Sequence, residues 1–304
     1  MKRVCKRPIQ LDALTICYEV VRPFYYEQLS RLDMGERYDM HDEDDSTQIV
    51  FRLYRIEGRY FENVYAIRCD NGQRDIEFGY LKFNLSRVDL QGNTHINGNR
   101  KVWLSLNNET LYSKDIYFLN YIEQRLGLEF HNVTSLDLCL DTPFSVSPLV
   151  KAYIHNKDVT TILNGKRITD RDEDRPEISY IHSGSLNQQD KYKTVNIKQR
   201  NAIKDKSNGI TVQTYDKVAE ISNASDKQYI LDHYGNPKRL YRTEVHLNAV
   251  DIKNYVERRG IQYTPLILFD EATLEDMFFH FLGSVIRFQS RKIDTSWEHL
   301  LGRS

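Results

Sequence analysis

SLDLCLDTPF, residues 135–144, is the stretch on which the reading of this chain turns. A period of two sends Leu136, Leu138 and Leu140 to one face of an extended strand and Asp137, Cys139 and Asp141 to the other. Asp137 and Asp141 thus share a face with Cys139 between them, about 13 Å apart along the strand at a rise of ~3.3 Å per residue. A Thr-Pro break follows the strand. It marks the expected boundary between an N-terminal α+β half, residues 1–144, and a C-terminal α+β half, residues 145–304.

Upstream, period-two alternation recurs at 12–21 (DALTICYEVV), 47–56 (TQIVFRLYRI), 62–69, 75–85 (DIEFGYLKFNL) and 101–106, with Gly, Asn and Asp clusters between several of these runs. The pattern predicts an antiparallel sheet. Helices are expected at 23–32, with Pro23 in a first turn, and at 109–126, where Leu111, Ile116, Leu119, Ile122 and Leu126 face the sheet and Gly127 stops the helix. Downstream the expectations are a helix near 147–155, strands near 177–182, 193–200 and 210–217, and a helix near 226–234. A strand at 239–247 and helices at 248–258 and 271–286 complete the reading. The fold class is α+β: antiparallel sheets with helices packed on one face, and two similar halves forming one catalytic unit. No sequence repeat marks a duplication.

Composition narrows the function. Forty-two Lys plus Arg stand against forty-three Asp plus Glu in 304 residues, so affinity for nucleic acid cannot come from bulk charge and must use a local basic surface. No stretch approaches the roughly 20 apolar residues of a membrane span, and the first residues alternate where a signal peptide has an apolar core. A cytoplasmic protein without a membrane partner is expected. Cys5, Cys17, Cys69 and Cys139 are scattered, which reads as buried thiols rather than a zinc site or disulfide framework. Twenty Tyr against two Trp suits sheet surfaces that contact bases, and equally suits β-rich cores. The acidic run Asp39, Asp42, Glu43, Asp44 and Asp45 lacks the alternation and Gly of a calcium loop and reads as a solvated loop.

Two further strands carry polar residues where a buried strand would be apolar. GITVQTYDKVAEI, from 209, places Gln213, Tyr215 and Lys217 on one face; LYRTEVHL, from 240, places Arg242, Glu244 and His246 together. Each feature alone fits something bland: a solvent-facing Asp pair, a packing tyrosine, an exposed ion pair, a structural histidine. Brought together on one sheet, they suit phosphodiester transfer. A tyrosine hydroxyl, with a pKa near 10, attacks phosphate poorly unless a divalent ion neutralises the phosphate and a neighbour assists proton loss. Carboxylates select a hard ion, Mg²⁺ or Mn²⁺. Asp137, Glu244 and Asp141 are the candidate ligands, with Arg242 or Lys217 as the fixed cation on the phosphate and His246 as a secondary group. The segment KYKTVNIKQRNAIKDK, residues 191–206, supplies Lys191, Lys193, Lys198, Arg200, Lys204 and Lys206 for a DNA backbone, or is simply a solvated hairpin.

In order and spacing, SLDLCLD, then KTVNIKQRNAIKDKSNGITVQTYDKVAEI, then LYRTEVHL resembles the Rep-trans family of rolling-circle replication initiators, over roughly residues 130–250. The resemblance rests on an Asp-bearing strand, a Tyr-Asp/Glu-Lys strand with a Glu shortly after, and an Arg-x-Glu strand. The family's Tyr-x-Gly-x-Arg turn stands here as Asn196-Ile197-Lys198-Gln199-Arg200, without the glycine, and the chain has no His-hydrophobe-His pair. What the resemblance implies is site-specific nicking and joining of one strand of single-stranded or hairpin origin DNA, with Tyr215 as nucleophile. It also implies an acidic metal site at Asp137 and Glu244, with Asp216 and Glu220 near the nucleophile. A host helicase and a second copy of the chain are further candidate partners. The rival readings are an origin-binding initiator without catalysis and a metal nuclease that activates water.

Overall fold

The computed structural model describes residues 4–20, 38–40, 50–57, 63–70, 75–83, 86–88, 94–96, 101–168, 177–181, 194–199 and 209–303. The helix expected at 23–32, the acidic residues Asp42 to Asp45, and Lys191, Lys193, Arg200, Lys204 and Lys206 lie outside the described residues. The chain forms an α+β protein with a large antiparallel sheet. It divides into two compact units, one of residues 13–135 and one of residues 1–12 with 136–304. Among the described residues no helix is long and apolar enough to cross a membrane.

In the 13–135 unit the strands are β1 (Gln10–Val20, whose first residues belong to the other unit), β2 (Tyr38–Met40), β3 (Val50–Ile56), β4 (Asn63–Asp70), β5 (Asp75–Phe83), a β6–β7 hairpin (Ser86–Val88 and Thr94–Ile96) and β8 (Lys101–Leu106). They pair antiparallel in the order β1-β8-β5-β4-β3-β2. Alternation delivers Leu14, Ile16 and Tyr18 with Val102 and Leu104 to one buried face. The helix expected at 109–126 is broken into α1 (Asn108–Tyr112), a 3₁₀ turn at Lys114–Phe118 and α2 (Leu119–Leu126). Ser113 causes the break: its backbone is extended, and both its N–H and its hydroxyl donate back to the Thr110 carbonyl. Gly127 ends α2 at φ 58°, the left-handed region open to glycine. Leu119, Ile122 and Leu126 are buried, and Tyr18 donates to Glu123 of α2 at 2.7 Å, which sets this helix on the Tyr18 face.

β9 (Leu128–Thr142) passes into the second unit. After it come α3 (Ser147–His155), β10 (Thr160–Leu163), β11 (Lys166–Arg167), β12 (Ile178–Ile181), β13 (Thr194–Lys198), β14 (Thr211–Asp216), α4 (Lys217–Ala224) and α5 (Gln228–His233). The unit closes with β15 (Tyr241–Asn248), α6 (Ala249–Arg259), α7 (Glu271–Val285), β16 (Ile286–Gln289) and α8 (Trp297–Leu300). Its main sheet runs β12-β13-β14-β15-β9, with the start of β1 beside β9; β11-β10-β16 form a small second sheet. One face of the main sheet is apolar, with Val212 opposite Val245, and α7 packs on β14 and β15 through a buried row that includes Leu274, Phe278 and Leu282. On that face Ser147 of α3 bonds the Thr214 hydroxyl at 2.7 Å. All four cysteines are buried thiols.

Candidate active site

The opposite face of this sheet collects the polar residues. β14 and β15 pair so that Tyr215 lies opposite Arg242, Gln213 opposite Glu244, and Thr211 opposite His246. Directly paired residues share a face, so period two alone assembles Tyr215, Arg242, Glu244 and His246. The hydrogen bonds carry the face on to β9 and β1: Asp137 bonds His246 Nδ1, Asp141 bonds Arg242, and Asp12 bonds Arg242. Tyr215 Oη donates to Glu244 Oε2 at 2.9 Å.

The face grades from dry to wet. At the dry end Arg242 is fully buried; its Nε and Nη2 donate to the two oxygens of Asp141 at 2.8 and 2.7 Å, while Nη1 donates to Asp12. A bidentate pair of this kind is rigid and engages both oxygens of Asp141. The N-terminal segment closes this end, with Arg7 donating to the Asp141 carbonyl at 3.4 Å and its guanidinium 4.4 Å from the centre of the Tyr234 ring. At the wet end the side chains of His246 and Asp137 are 38% and 18% exposed. Solvent, and therefore a ligand, reaches the row there. Glu244 and Tyr215 lie between the two ends.

The electrostatics follow from this gradient. Burial raises the Glu244 carboxyl to about 7; Asp12 and Asp137 push it the same way, while Arg242 and the bond from Tyr215 oppose them. Burial also raises the Tyr215 phenol well above its ordinary value, with Glu244 adding to the rise and Arg242 opposing it. His246 is raised first by its bond to Asp137, against burial. Glu244 is thus a carboxyl whose hold on a proton is strengthened by burial, in contact with a phenol.

The remaining expected residues fall in structural positions. Asp216 ends β14 and caps α4, its carboxylate accepting from Ala219 N–H at 2.9 Å. Lys217 does not share the Tyr215 face as a strand residue, because α4 begins there. It is buried, pairs with Glu220 at 2.8 Å, and holds its ammonium 5.6 Å from the centre of the Tyr215 ring. Lys198, at the end of β13 opposite Thr211, joins the wet end of the site face. Among the described residues no group of three or more His, Cys, Asp and Glu side chains is arranged to hold a metal ion.

No protein-family model and no curated protein matches this chain. The site therefore stands on its own geometry. Sequence reading missed Asp12, Arg7 and Tyr234. Asp12 opens a recognised strand, yet its partner lies 230 residues away, and only the strand order reveals the contact.

Proposed function

We propose that this protein is a DNA strand transferase of the cytoplasm that nicks and rejoins one strand through a covalent phosphotyrosine, the activity of the Rep-trans initiators that its motifs resemble. The observation that carries the reading is the contact of the Tyr215 hydroxyl with Glu244 on a sheet face shared with Asp137. In the forward step the Tyr215 oxygen bonds to phosphorus as its proton passes to Glu244. The bond from phosphorus to the deoxyribose oxygen breaks, and that oxygen leaves as a free hydroxyl end after taking up a proton. Attack by the freed hydroxyl reverses the step and releases Tyr215. A carboxyl near 7 suits proton transfer in both directions at neutral pH.

Arg242 serves here as a buried charge rather than as a contact to phosphate. Its field favours the phenolate, and its bonds to Asp141 and Asp12 fix the strands. Asp137 and Glu244 are two hard carboxylate donors on one face, and the negative charge of Asp12 and Asp137 around Glu244 is what a cation would relieve. Asp137 and Glu244 would hold Mg²⁺ or Mn²⁺; Asp141, both oxygens engaged by Arg242, is not needed. Such an ion would neutralise the scissile phosphate.

The test is to incubate the protein with Mn²⁺ and supercoiled DNA carrying the sequences that flank its own gene. Open circles with protein that resists SDS are expected, and none with Tyr215→Phe. Nicking that persists undiminished in Tyr215→Phe overturns the assignment of the nucleophile, and nicking without attached protein points to hydrolysis by water.

A further inference from the structure

The small β11-β10-β16 sheet brings together two basic stretches that are far apart in the chain, residues 157–167 and 287–292. Its strands pair so that Arg167 lies opposite Ile162 and Ile162 opposite Arg287, one row across three strands. Thr160 opposite Gln289 continues that face. The alternate residues Thr161, Leu163, Ile286 and Phe288 are buried on the other face, where Tyr153 of α3 and Trp297 of α8 pack on the Phe288 ring. Arg167, Arg287 and Gln289 are exposed. Around them stand Lys157, Lys166 and Arg291, also exposed, and Lys292, whose Nζ lies 3.3 Å from Asp158. That pair joins the two stretches, but with both side chains in solvent it neutralises little. Among the described residues no carboxylate pairs with Lys157, Lys166, Arg167, Arg287 or Arg291. In a chain whose formal net charge is −1, this is a local basic surface.

We propose that this face binds the phosphate backbone of duplex DNA beside the strand that is cut, through Arg167, Arg287 and Arg291. A duplex keeps its bases stacked inside and offers one negative charge per ~1.7 Å of axis, so it needs fixed cations and no stacking ring. A single strand would call for exposed aromatic side chains, and here Phe288, Tyr153 and Trp297 gather on the other face. The row sets the two arginine positions about 10 Å apart, two strand spacings, on a backbone that holds them there. Each guanidinium can then give a phosphate two parallel bonds. An added peptide strand suits the sheet less well. The Ile286 and Phe288 carbonyls of β16 already accept from Trp297 Nε1 at 2.8 Å and Thr295 Oγ1 at 2.9 Å, which leaves charge as what the face offers. Its place in the fold agrees with such a role. Asn164 and Gly165, both at positive φ, make the tight β10–β11 turn, and Asn164 Nδ2 donates to the Lys198 carbonyl at 3.4 Å. The small sheet therefore adjoins the end of β13, where Lys198 shares a face with His246 at the wet end of the candidate site.

The inference deepens the proposed function by placing the duplex next to the nick, and rests on it for the choice of DNA. The test follows the anisotropy of a fluorescein-labelled duplex of arbitrary sequence titrated with the full chain in EDTA, so that neither cleavage nor origin recognition contributes. Salt is varied from about 0.05 to about 0.2 M. Arg167→Gln, Arg287→Gln and Arg291→Gln are each expected to lower the steepness of log affinity against log salt by about 0.9, and the triple variant by about 2.7. Arg287→Lys keeps the wild-type slope, as does Lys253→Gln, which removes an exposed cation of α6. A wild-type slope in the triple variant, with an unchanged circular dichroism spectrum, overturns the inference, and so does an equal drop in Lys253→Gln. A duplex that does not bind also overturns it, which is what an acidic protein as the true occupant would give. If the triple variant loses affinity for oligothymidylate and not for the duplex, the choice of duplex is wrong. Duplex binding with the expected losses, but no protein–DNA adduct from the wild-type chain in Mn²⁺, overturns the nicking reading alone.

Discussion

Arg242 holds the dry end of the candidate site together. A guanidinium removed from water is costly unless its N–H groups find acceptors, and here two carboxylates and three donor nitrogens meet that need. Removing one carboxylate leaves the charge under-compensated rather than merely deleting a bond. Asp141→Asn is therefore expected to destabilise the protein by about 3 kcal/mol, the lower end of the range for breaking a buried pair, because Asp12 still faces the guanidinium. Urea unfolding of the variant measures this; a loss under about 1 kcal/mol would mean that Asp12 alone compensates Arg242. At this scale the sequence revealed the kind of residue and the face it occupies, since alternation put Asp137 and Asp141 together and Arg242, Glu244 and His246 together. It did not reveal partners. Asp141 and Arg242 are 101 positions apart, and no local pattern says which of two acids a guanidinium takes and which is left to the solvent.

The elements were legible where they alternate over several residues, as in β1, β5, β8, β14 and β15, because a half-buried strand needs that pattern. They were illegible where two states share a pattern. Val285-Ile286-Arg287-Phe288 extends the apolar run of α7, so the expected helix reached 286, yet Ile286 turns extended and β16 pairs with β10. The switch from β14 to α4 inside Tyr215-Asp216-Lys217 was missed for a similar reason: the capping role of Asp216 is visible only once the helix is known. β5 offers a test of how tightly strands are joined. At Gly79 the backbone passes so close to β8 that an added Cβ would sit 2.5 Å from the Ser105 carbonyl oxygen. Backbone cannot yield as a flexible side chain does. Gly79→Ala is expected to cost about 1–3 kcal/mol by forcing β5 and β8 apart, with faster amide exchange along Tyr80, Leu81 and Leu104 as the local readout. Wild-type stability and exchange would contradict this close approach.

For the molecule as a whole, the first twelve residues belong with residues 136–304, an association that no run of neighbours encodes. Long-range pairings of this sort are what pattern reading leaves open, whereas the class of the fold follows from the alternation summed over the chain. Global stability also records groups remote from the site. Glu123 is raised above its ordinary 4.5 by burial, only partly opposed by the bond from Tyr18. Below 4.5 both folded and unfolded chains carry this proton. Above it, the unfolded chain loses the proton while the native one keeps it, so the native state binds more protons and stability falls as pH rises, until Glu123 ionises in the fold as well. The slope from this one group cannot exceed about 1.4 kcal/mol per pH unit. Glu123→Gln keeps an acceptor for the Tyr18 hydroxyl and removes the titration. Urea midpoints taken from about pH 4 to about pH 8 are therefore expected to move in favour of the variant as pH climbs, then to hold a constant difference. Other groups titrate in both proteins and cancel in that difference. A difference that stays flat across the whole range would show that Glu123 has the same affinity for its proton folded and unfolded, and that the Tyr18 bond fully offsets its burial.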